Sequence, residues 1–167
     1  YFKTSKDAHK LVEEFMLLAN RRVAEFIGKQ KQKKPFVYRV HDLPDEDKLI
    51  NLKNIAGNLG YKLDLDSNKI NSSLNTLLQE SHGKNEQQLI DTLAIRSMSK
   101  AVYTTDNIGH YGLAFEYYTH FTSPIRRYTD LVVHRLLKKH ANKENHIDKE
   151  LLEKIYEHCS EMEKIAS

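Results

Sequence analysis

The first part of the chain repeats apolar residues with the period of an α-helix. Between residues 7 and 30 the apolar positions recur every three or four residues, which is the spacing of one helical face. The members of this stripe are Ala8, Leu11, Val12, Phe15, Ala19, Val23 and Phe26. The pattern predicts a long amphipathic helix, and the 167 residues, 40% of them apolar, are enough for one domain with a sizeable core.

Alternation and breaker residues divide the rest of the chain into short elements. β-Branched and aromatic residues predict a strand at 36–40, an extended piece at 61–65, and two strands, 101–105 and 111–118, joined by a turn. Helical periodicity predicts helices at 45–59, 70–81, 86–100, 123–140 and about 148–165. We therefore expect an α+β fold, mostly helical with a few short strands, in one compact piece.

Charge and cysteine content narrow the choice of partners and compartment. The net charge of +3 permits a nucleic-acid partner without requiring one. The basic run at 29–34 is either a solvated helix end or, in the minority interpretation, a phosphate contact. No run of about 18 apolar residues occurs, so we expect no membrane span. The single cysteine, Cys159, has glutamates around it that oppose thiolate formation, which favours a packing role and a reducing, cytoplasmic compartment.

Residues 120–130, His-Phe-Thr-Ser-Pro-Ile-Arg-Arg-Tyr-Thr-Asp, combine a helix-start signal with two arginines. Ser123 can cap a helix, and Pro124 suits the first helical position because its missing N–H would be unsatisfied there. Arg126 and Arg127 would then lie in the first turn, beside free backbone N–H groups and the positive end of the helix dipole. This arrangement suits a phosphate. Arginine pairs are equally common on solvated helix faces, and the residues alone leave both interpretations open.

A carboxylate follows these arginines at helical spacing. Asp130 is expected to brace Arg126 or Arg127 and to reach His134, which would hold a phosphate clamp rigid. The alternative is a surface salt bridge worth about 0–1 kcal/mol. On the same helix, Ile125 is expected to share an apolar face with the residues Tyr128, Val132 and Leu136.

Two polar residues interrupt a semi-apolar face of the first predicted helix. Glu13 and Asn20 are seven positions apart and therefore lie nearly in line, whereas Glu14 falls on the charged side. The pair could hydrogen-bond a ligand hydroxyl or position a water. The residues by themselves favour the alternative, a buried polar pair that bonds only to its neighbours.

No metal site is expected within this chain. The acidic group Asp42, Asp45, Glu46 and Asp47 surrounds Pro44 at a helix start, where carboxylates stabilise the helix dipole. The nine histidines show no zinc-ligand spacing. One of them, His110, lies in a Gly-His-Tyr-Gly turn and is either functional or simply a turn residue.

Several of these segments together resemble the RNase II/RNase R-type exoribonucleases, with RNase R the nearer relative. The matching motifs are Val-Glu-Glu-Phe-Met-Leu-Leu-Ala-Asn at 12–20, Arg-Ser-Met at 96–98, Asn-Ile-Gly-His-Tyr-Gly-Leu-Ala at 107–114 and His-Phe-Thr-Ser-Pro-Ile-Arg-Arg-Tyr at 120–128. They occur in the family's order between about residues 7 and 138.

The resemblance implies Mg²⁺-dependent, processive hydrolysis of single-stranded RNA from its 3′ end to nucleoside 5′-monophosphates. It implies that Arg126 contacts the phosphate near the scissile bond and stabilises transition-state charge, and that Glu13 contacts the terminal nucleotides. These two are the expected catalytic residues. The expected substrate-binding residues are Asn20, His110, Thr122, Ser123, Arg127, Tyr128 and His134.

The family's aspartate cluster, which holds the Mg²⁺ ions, has no counterpart in this chain. The sequence begins at Tyr1 and ends inside a helical pattern, so we expect residues 1–167 to be the C-terminal part of an RNB catalytic domain, cut from a longer protein. Such a piece would lack the flanking RNA-binding domains, be inactive alone and expose apolar surface through which it could self-associate. The alternatives are a non-catalytic nucleic-acid-binding helical module and an inactive family member.

Overall fold

The mostly helical α+β fold is confirmed by a computed structural model, which describes residues 6–66, 69–143 and 147–166. The elements in chain order are α1 (Asp7–Gly28), β1 (Tyr38–Val40), α2 (Glu46–Asn58), α3 (Ile70–Ser81), α4 (Gln87–Ser97), β2 (Val102–Thr104), a 3₁₀ turn (Tyr111–Leu113), α5 (Tyr128–Ala141) and α6 (Lys149–Ala166). None of the helices in these ranges is both long and apolar enough to cross a membrane.

The described residues divide into two compact units, each with its own hydrophobic cluster. The sheet unit comprises the described residues of Tyr1–Asp42 and Ala101–Ser167, and the helical unit is Leu43–Lys100. The apolar residues therefore form two cores rather than the one expected from the sequence.

The sheet unit is built around a short antiparallel ribbon. Strands β1 and β2 pair with Tyr38 opposite Thr104 and Val40 opposite Val102. Helix α6 packs on β2, and the Ser160 hydroxyl accepts a hydrogen bond from the Tyr103 backbone N–H at 3.0 Å. The buried apolar residues of this core are Ala24, Ile27, Phe36, Val37, Tyr38, Val40, Tyr103, Val132, Val133, Leu136, Leu152 and Tyr156.

The helical unit packs α2, α3 and α4 together. Helix α2 begins where the acidic residues surround Pro44, and the Asp45 carboxylate accepts a hydrogen bond from the Lys48 N–H at 3.2 Å. The interpretation of this acidic group as a helix start is therefore confirmed. Its core consists of Leu49, Leu52, Ala56, Tyr61, Leu63, Ile70, Leu74, Leu77, Ile90 and Ala94.

Two predicted extended segments are not strands. Residues 61–65 have no ladder partner in the described part of the chain, and their alternation arises because Tyr61 and Leu63 pack into the helical core. Over 111–118 the chain forms a 3₁₀ turn and then passes through Ala114 in the left-handed region (φ 54°). The His110 side chain accepts from the Leu113 N–H at 3.2 Å and closes this turn, which prevents a strand there.

The predicted helix over 123–140 begins five residues later, at Tyr128. The Ser123 carbonyl accepts hydrogen bonds from the Arg126 and Arg127 N–H groups at 3.2 and 3.0 Å, which closes a separate turn. Arg127 is then extended (φ −126°, ψ 117°), so neither Ser123 nor Pro124 has the expected helix-start role. Ile125 is fully exposed in the turn and does not belong to the helix's apolar face.

Helix α1 buries a different face from the one that its apolar stripe indicates. Its buried residues are Asn20, Ala24 and Ile27. Much of the stripe is exposed, with Leu11 at 59%, Val12 at 57%, Phe15 at 62% and Phe26 at 68%. The amphipathic period predicts the helix correctly, but it does not identify the face that packs.

Candidate functional site

A cavity of about 470 Å³ lies in the sheet unit between the first two-thirds of α1 and the segment from residue 118 to 127. Its lining residues are Ala8, His9, Val12, Glu13, Met16, Leu17, Asn20, Tyr118, His120, Thr122 and Arg127. The wall on the α1 side is mostly apolar with one carboxylate, and the opposite wall carries hydroxyl, imidazole and guanidinium groups. A cavity with a few converging polar groups suits a ligand that is partly apolar and partly polar, such as a nucleotide.

Asn20 holds the polar wall against α1. Its side chain is 3% exposed, and its Oδ1 accepts from the backbone N–H groups of Phe121 and Thr122 at 3.0 and 3.2 Å. Its Nδ2 donates to the Tyr118 hydroxyl at 3.1 Å. These contacts match the interpretation as a buried polar residue for Asn20, because its amide hydrogen-bonds three groups of the protein, but not for Glu13, which is exposed.

Asp130 holds the same wall from the α5 side. Its carboxylate is fully buried, and Oδ2 accepts from the Ser123 N–H at 2.8 Å. Oδ1 lies 3.3 Å from Nε of Arg127, whose side chain is 27% exposed. The expected bracing of an arginine by Asp130 is confirmed for Arg127. Arg126 is exposed, with a terminal nitrogen 3.4 Å from the Ser123 hydroxyl.

His134 contacts Phe121 in the segment from residue 118 to 127. It does not make the contact with Asp130 that the sequence predicts. Its Nε2 lies 2.9 Å from the Phe121 carbonyl oxygen. Its ring stacks on the Phe121 ring, with centroids 4.1 Å apart and 15° between planes. Asp130 is instead engaged by the turn at Ser123, and this explains why the i,i+4 contact is not made.

Two residues that line the cavity carry a buried polar atom without a hydrogen bond in the described ranges: Thr122, at its hydroxyl, and Arg127, at Nε. Nε of Arg127 has the Asp130 carboxylate 3.3 Å away as an ion-pair partner, and the Thr122 hydroxyl has no such partner. Buried polar atoms are normally satisfied, and an unsatisfied one costs about 1–3 kcal/mol. An unpaired hydroxyl at a cavity wall is consistent with a ligand or water that completes its hydrogen bonding.

His110 lies outside the residues that line the cavity. Its ring packs edge-on against Tyr118, with centroids 5.2 Å apart, and its Nδ1 closes the 3₁₀ turn. Burial, with the nearby His41 and Arg39 adding to it, lowers the pKa of His110 to about 4. The residue is therefore uncharged near neutral pH and has a visible role in shaping the backbone.

His120 was not among the predicted site residues, yet it lines the cavity. Its Nδ1 lies 2.7 Å from the Tyr103 hydroxyl. Burial, followed by the charges of Arg127 and Arg39, lowers the pKa of His120 to about 3. The available signal was its place at the start of the 120–130 segment.

The structure brings together some of the predicted site residues and separates others. Glu13, Asn20, Thr122 and Arg127 line one cavity. Next to it, the Ser123 backbone N–H donates to Asp130, and His134 hydrogen-bonds with the Phe121 carbonyl. Tyr128 is 54% exposed and faces a different depression, which also includes Arg127.

The described residues do not fit a metal site. Across 6–66, 69–143 and 147–166 no group of three or more histidine, cysteine, aspartate or glutamate side chains converges. Glu13 is the cavity's one lining carboxylate among these residues, and Asp130 is engaged by Ser123 and Arg127.

The family-model comparison matches the RNB domain over residues 1–143, and the chain belongs to this family. It is 42% identical over 163 residues to Ribonuclease R of Aquifex aeolicus, covering 95% of this chain and 23% of the relative. It is 43% identical over 167 residues to Ribonuclease R of Thermotoga maritima, again covering 95% of this chain and 23% of the relative. The chain thus spans about a quarter of the length of these relatives.

Solved structures agree with this assignment. Mycoplasma genitalium RNase R in complex with ribose-methylated single-stranded RNA is similar with a TM-score of 0.83 and 31% identity, over 98% of this chain and 26% of that one. Yeast Ssd1, described as a pseudonuclease, is similar with a TM-score of 0.74 and 29% identity, over 90% of this chain and 19% of that one.

Proposed function

We propose that this chain is part of a processive 3′→5′ exoribonuclease that hydrolyses single-stranded RNA to nucleoside 5′-monophosphates. The observation that carries the proposal is the cavity of the sheet unit. There Glu13 lies on one wall, and Arg127 lies on a segment that two buried side chains, Asn20 and Asp130, hold in place. A rigid cation beside an apolar surface suits a phosphate together with its nucleoside.

The proposal assigns the phosphate to the arginine turn. Arg126 is exposed at the tip of the turn, and Arg127 lies at the cavity wall. A guanidinium there can pair with phosphate oxygens through two parallel hydrogen bonds. We retain Arg126 as the residue that contacts the phosphate near the scissile bond, with Arg127 as a second contact. Glu13 is assigned to the sugar of a terminal nucleotide.

Metal-dependent hydrolysis belongs, in this proposal, to the longer protein. A divalent ion, which we propose to be Mg²⁺, would supply the activated water and neutralise the leaving oxygen. The proposal assigns its ligands to another part of the longer protein, and the absence of a converging metal-ligand group among the described residues is consistent with this. The 167-residue chain alone therefore binds RNA without cutting it, and the parent protein acts in the cytoplasm.

A second candidate function is RNA binding without hydrolysis in the parent as well. The similarity to yeast Ssd1, a pseudonuclease, favours this candidate, because the fold of this region occurs in a relative described as inactive. The two candidates share the RNA site and differ only in metal chemistry.

RNA binding by the 167-residue chain tests the proposal. Fluorescence anisotropy with RNA and DNA oligomers of one sequence, at about 50 mM and about 200 mM salt, separates sugar recognition from phosphate neutralisation. We expect tighter binding of RNA at both salt concentrations. We expect Arg127→Ala to weaken RNA and DNA alike and to reduce the salt slope by about one phosphate contact.

Arg135→Ala is the matched control, because Arg135 is an exposed arginine of α5 that is not among the residues lining the cavity. It should leave affinity nearly unchanged. Equal affinity for RNA and DNA with a steep salt dependence would instead indicate a module that only neutralises phosphates. RNA that is degraded by a clean preparation when Mg²⁺ is added would contradict the assignment of the metal ligands to another part of the protein.

A further inference from the structure

We propose that His120 is a specificity-determining residue of the cavity, whose neutral Nε2–H donates a hydrogen bond to an uncharged oxygen of the bound nucleotide. The acceptor is a ribose hydroxyl or a base carbonyl. Tyr103 is the positioning residue, because its hydrogen bond with Nδ1 keeps the ring proton of His120 on Nε2. The inference rests on the proposed RNA site and names a contact within it.

The surroundings of His120 fix the orientation of its ring. The Tyr103 and Tyr118 rings pack against it edge-on, with centroids 5.6 and 5.7 Å away. Its Nδ1 lies 2.7 Å from the Tyr103 hydroxyl. Because the two ring nitrogens lie on opposite sides of the imidazole, Nε2 points away from Tyr103. No hydrogen-bond partner for Nε2 lies among the described residues, and His120 lines the cavity.

The hydrogen bond with Tyr103 decides which nitrogen carries the proton. Burial raises the pKa of the Tyr103 hydroxyl, so this group keeps its proton. Among the described residues, the Tyr103 hydroxyl hydrogen-bonds with Nδ1 of His120 alone, whereas the Thr129 hydroxyl lies 3.4 Å from Oδ1 of Asp130. Because a buried hydroxyl has to place its proton on an acceptor, Tyr103 donates to Nδ1. That leaves the ring proton on Nε2.

Burial, together with several nearby cations, keeps the imidazole of His120 uncharged. Burial has the largest effect on the pKa of His120, and the charges of Arg127, Arg39 and Arg126, together with the neighbouring His110, lower it further. Arg39 is itself held by Glu163, with a nitrogen–oxygen distance of 2.6 Å, and its guanidinium lies 4.4 Å from the centroid of the Tyr103 ring. His120 therefore stays neutral over the whole range in which the protein would work.

Charge determines which oxygen atoms each residue of this wall suits. The arginines, which are permanently charged, suit phosphate oxygens. A neutral N–H is suited to an uncharged oxygen, and a site built around such a donor rejects a ligand that lacks the acceptor, because the donor is then left unpaired. His120 would thus add selectivity rather than electrostatic attraction.

Four oligomers test the contact in the 167-residue chain: oligo(U), oligo(A), oligo(dU) and oligo(dA). His120→Phe keeps the aromatic packing and removes both nitrogens. We expect it to lower affinity about tenfold for the ligands that carry the acceptor and by less than twofold for the others. A loss confined to both RNAs identifies a ribose hydroxyl, and a loss confined to oligo(U) and oligo(dU) identifies a base carbonyl. The salt slope should not change, because a neutral donor releases no counterion.

His82→Phe, at an exposed histidine of the helical unit, is the control and should change nothing. Nitrogen-15 NMR of the imidazole supplies an independent readout. We expect a proton on Nε2 and none on Nδ1 from pH 5 to 8, and a mixture of the two tautomers in Tyr103→Phe.

Equal loss for all four oligomers, a reduced salt slope or a proton on Nδ1 would overturn the inference. So would unchanged affinity in His120→Phe while the wild type still prefers RNA, and this outcome would leave the proposed RNA site intact. If the wild type binds no oligomer, the proposed site and the inference both fail.

Discussion

At the scale of single residues, two buried polar side chains determine the path of the chain beside the cavity. Asn20 and Asp130 between them accept hydrogen bonds from three consecutive backbone N–H groups, those of Phe121, Thr122 and Ser123. These groups belong to no helix or strand, so without the two side chains they would be unsatisfied. The position of Arg127 thus depends on residues that need not touch a ligand.

Asn20→Ala tests this role through stability. The substitution removes the acceptor for two N–H groups, and we expect the free energy of unfolding to fall by about 2 kcal/mol. Urea denaturation followed by circular dichroism measures the change. Asn51→Ala, at an exposed position of α2, is the control and should stay within about 0.5 kcal/mol of wild type. A similar small effect for Asn20→Ala would contradict the account of the wall.

At the scale of elements, a carboxylate ties α6 to β2. Glu153 on α6 accepts from the Thr104 hydroxyl at 2.6 Å, and from the N–H and hydroxyl of Thr105 at 2.8 and 2.5 Å. Partial burial alone would raise the pKa of Glu153, but these hydrogen bonds outweigh it, and the pKa lies below its usual value. The connection between helix and strand is therefore strongest when the carboxylate is charged.

Stability should depend on pH through this carboxylate. Because the pKa of Glu153 is lower in the folded chain, its contribution is present above the unfolded-state pKa of about 4.3 and is lost as pH falls through the folded-state value. We expect Glu153→Gln to lower the free energy of unfolding at pH 7, with a difference from wild type that shrinks towards pH 3. Glu157→Gln, exposed on the same helix, should show no such trend. A difference that is constant with pH would rule out the linkage.

At the scale of the whole molecule, the chain divides into two units that have separate cores. The helical unit is continuous in sequence, and its two ends bond to each other. The Ser99 hydroxyl donates to the Leu43 carbonyl at 2.5 Å, and the Asp45 N–H donates to the Ser97 carbonyl at 2.9 Å. The first and last residues of the helical unit therefore lie close together.

We expect the peptide Leu43–Lys100 to fold without the rest of the chain. Its buried apolar residues pack within the unit, and domains of about 60 residues can be stable alone. Circular dichroism should show a helical spectrum and a cooperative thermal transition. Leu52→Ala removes a fully buried side chain and should abolish the transition, whereas Lys53→Ala at the next, exposed position should not. A non-cooperative wild-type peptide would show that the unit needs the rest of the chain.

The sequence by itself determined the helices, the helix start at Asp45 and the family motifs, because helical period and capping act over a few neighbouring residues. Even the grouping of Glu13 with Asn20 follows from their spacing of seven. Only the tertiary structure decided where α5 begins and which face of α1 is buried. The Asp130 carboxylate accepts a hydrogen bond from the Ser123 N–H, and this stabilises the turn before α5. Asn20 hydrogen-bonds with residues about a hundred positions away in the sequence. Such long-range bonds override local signals, because a buried carboxylate or amide must be satisfied wherever the folded chain allows it.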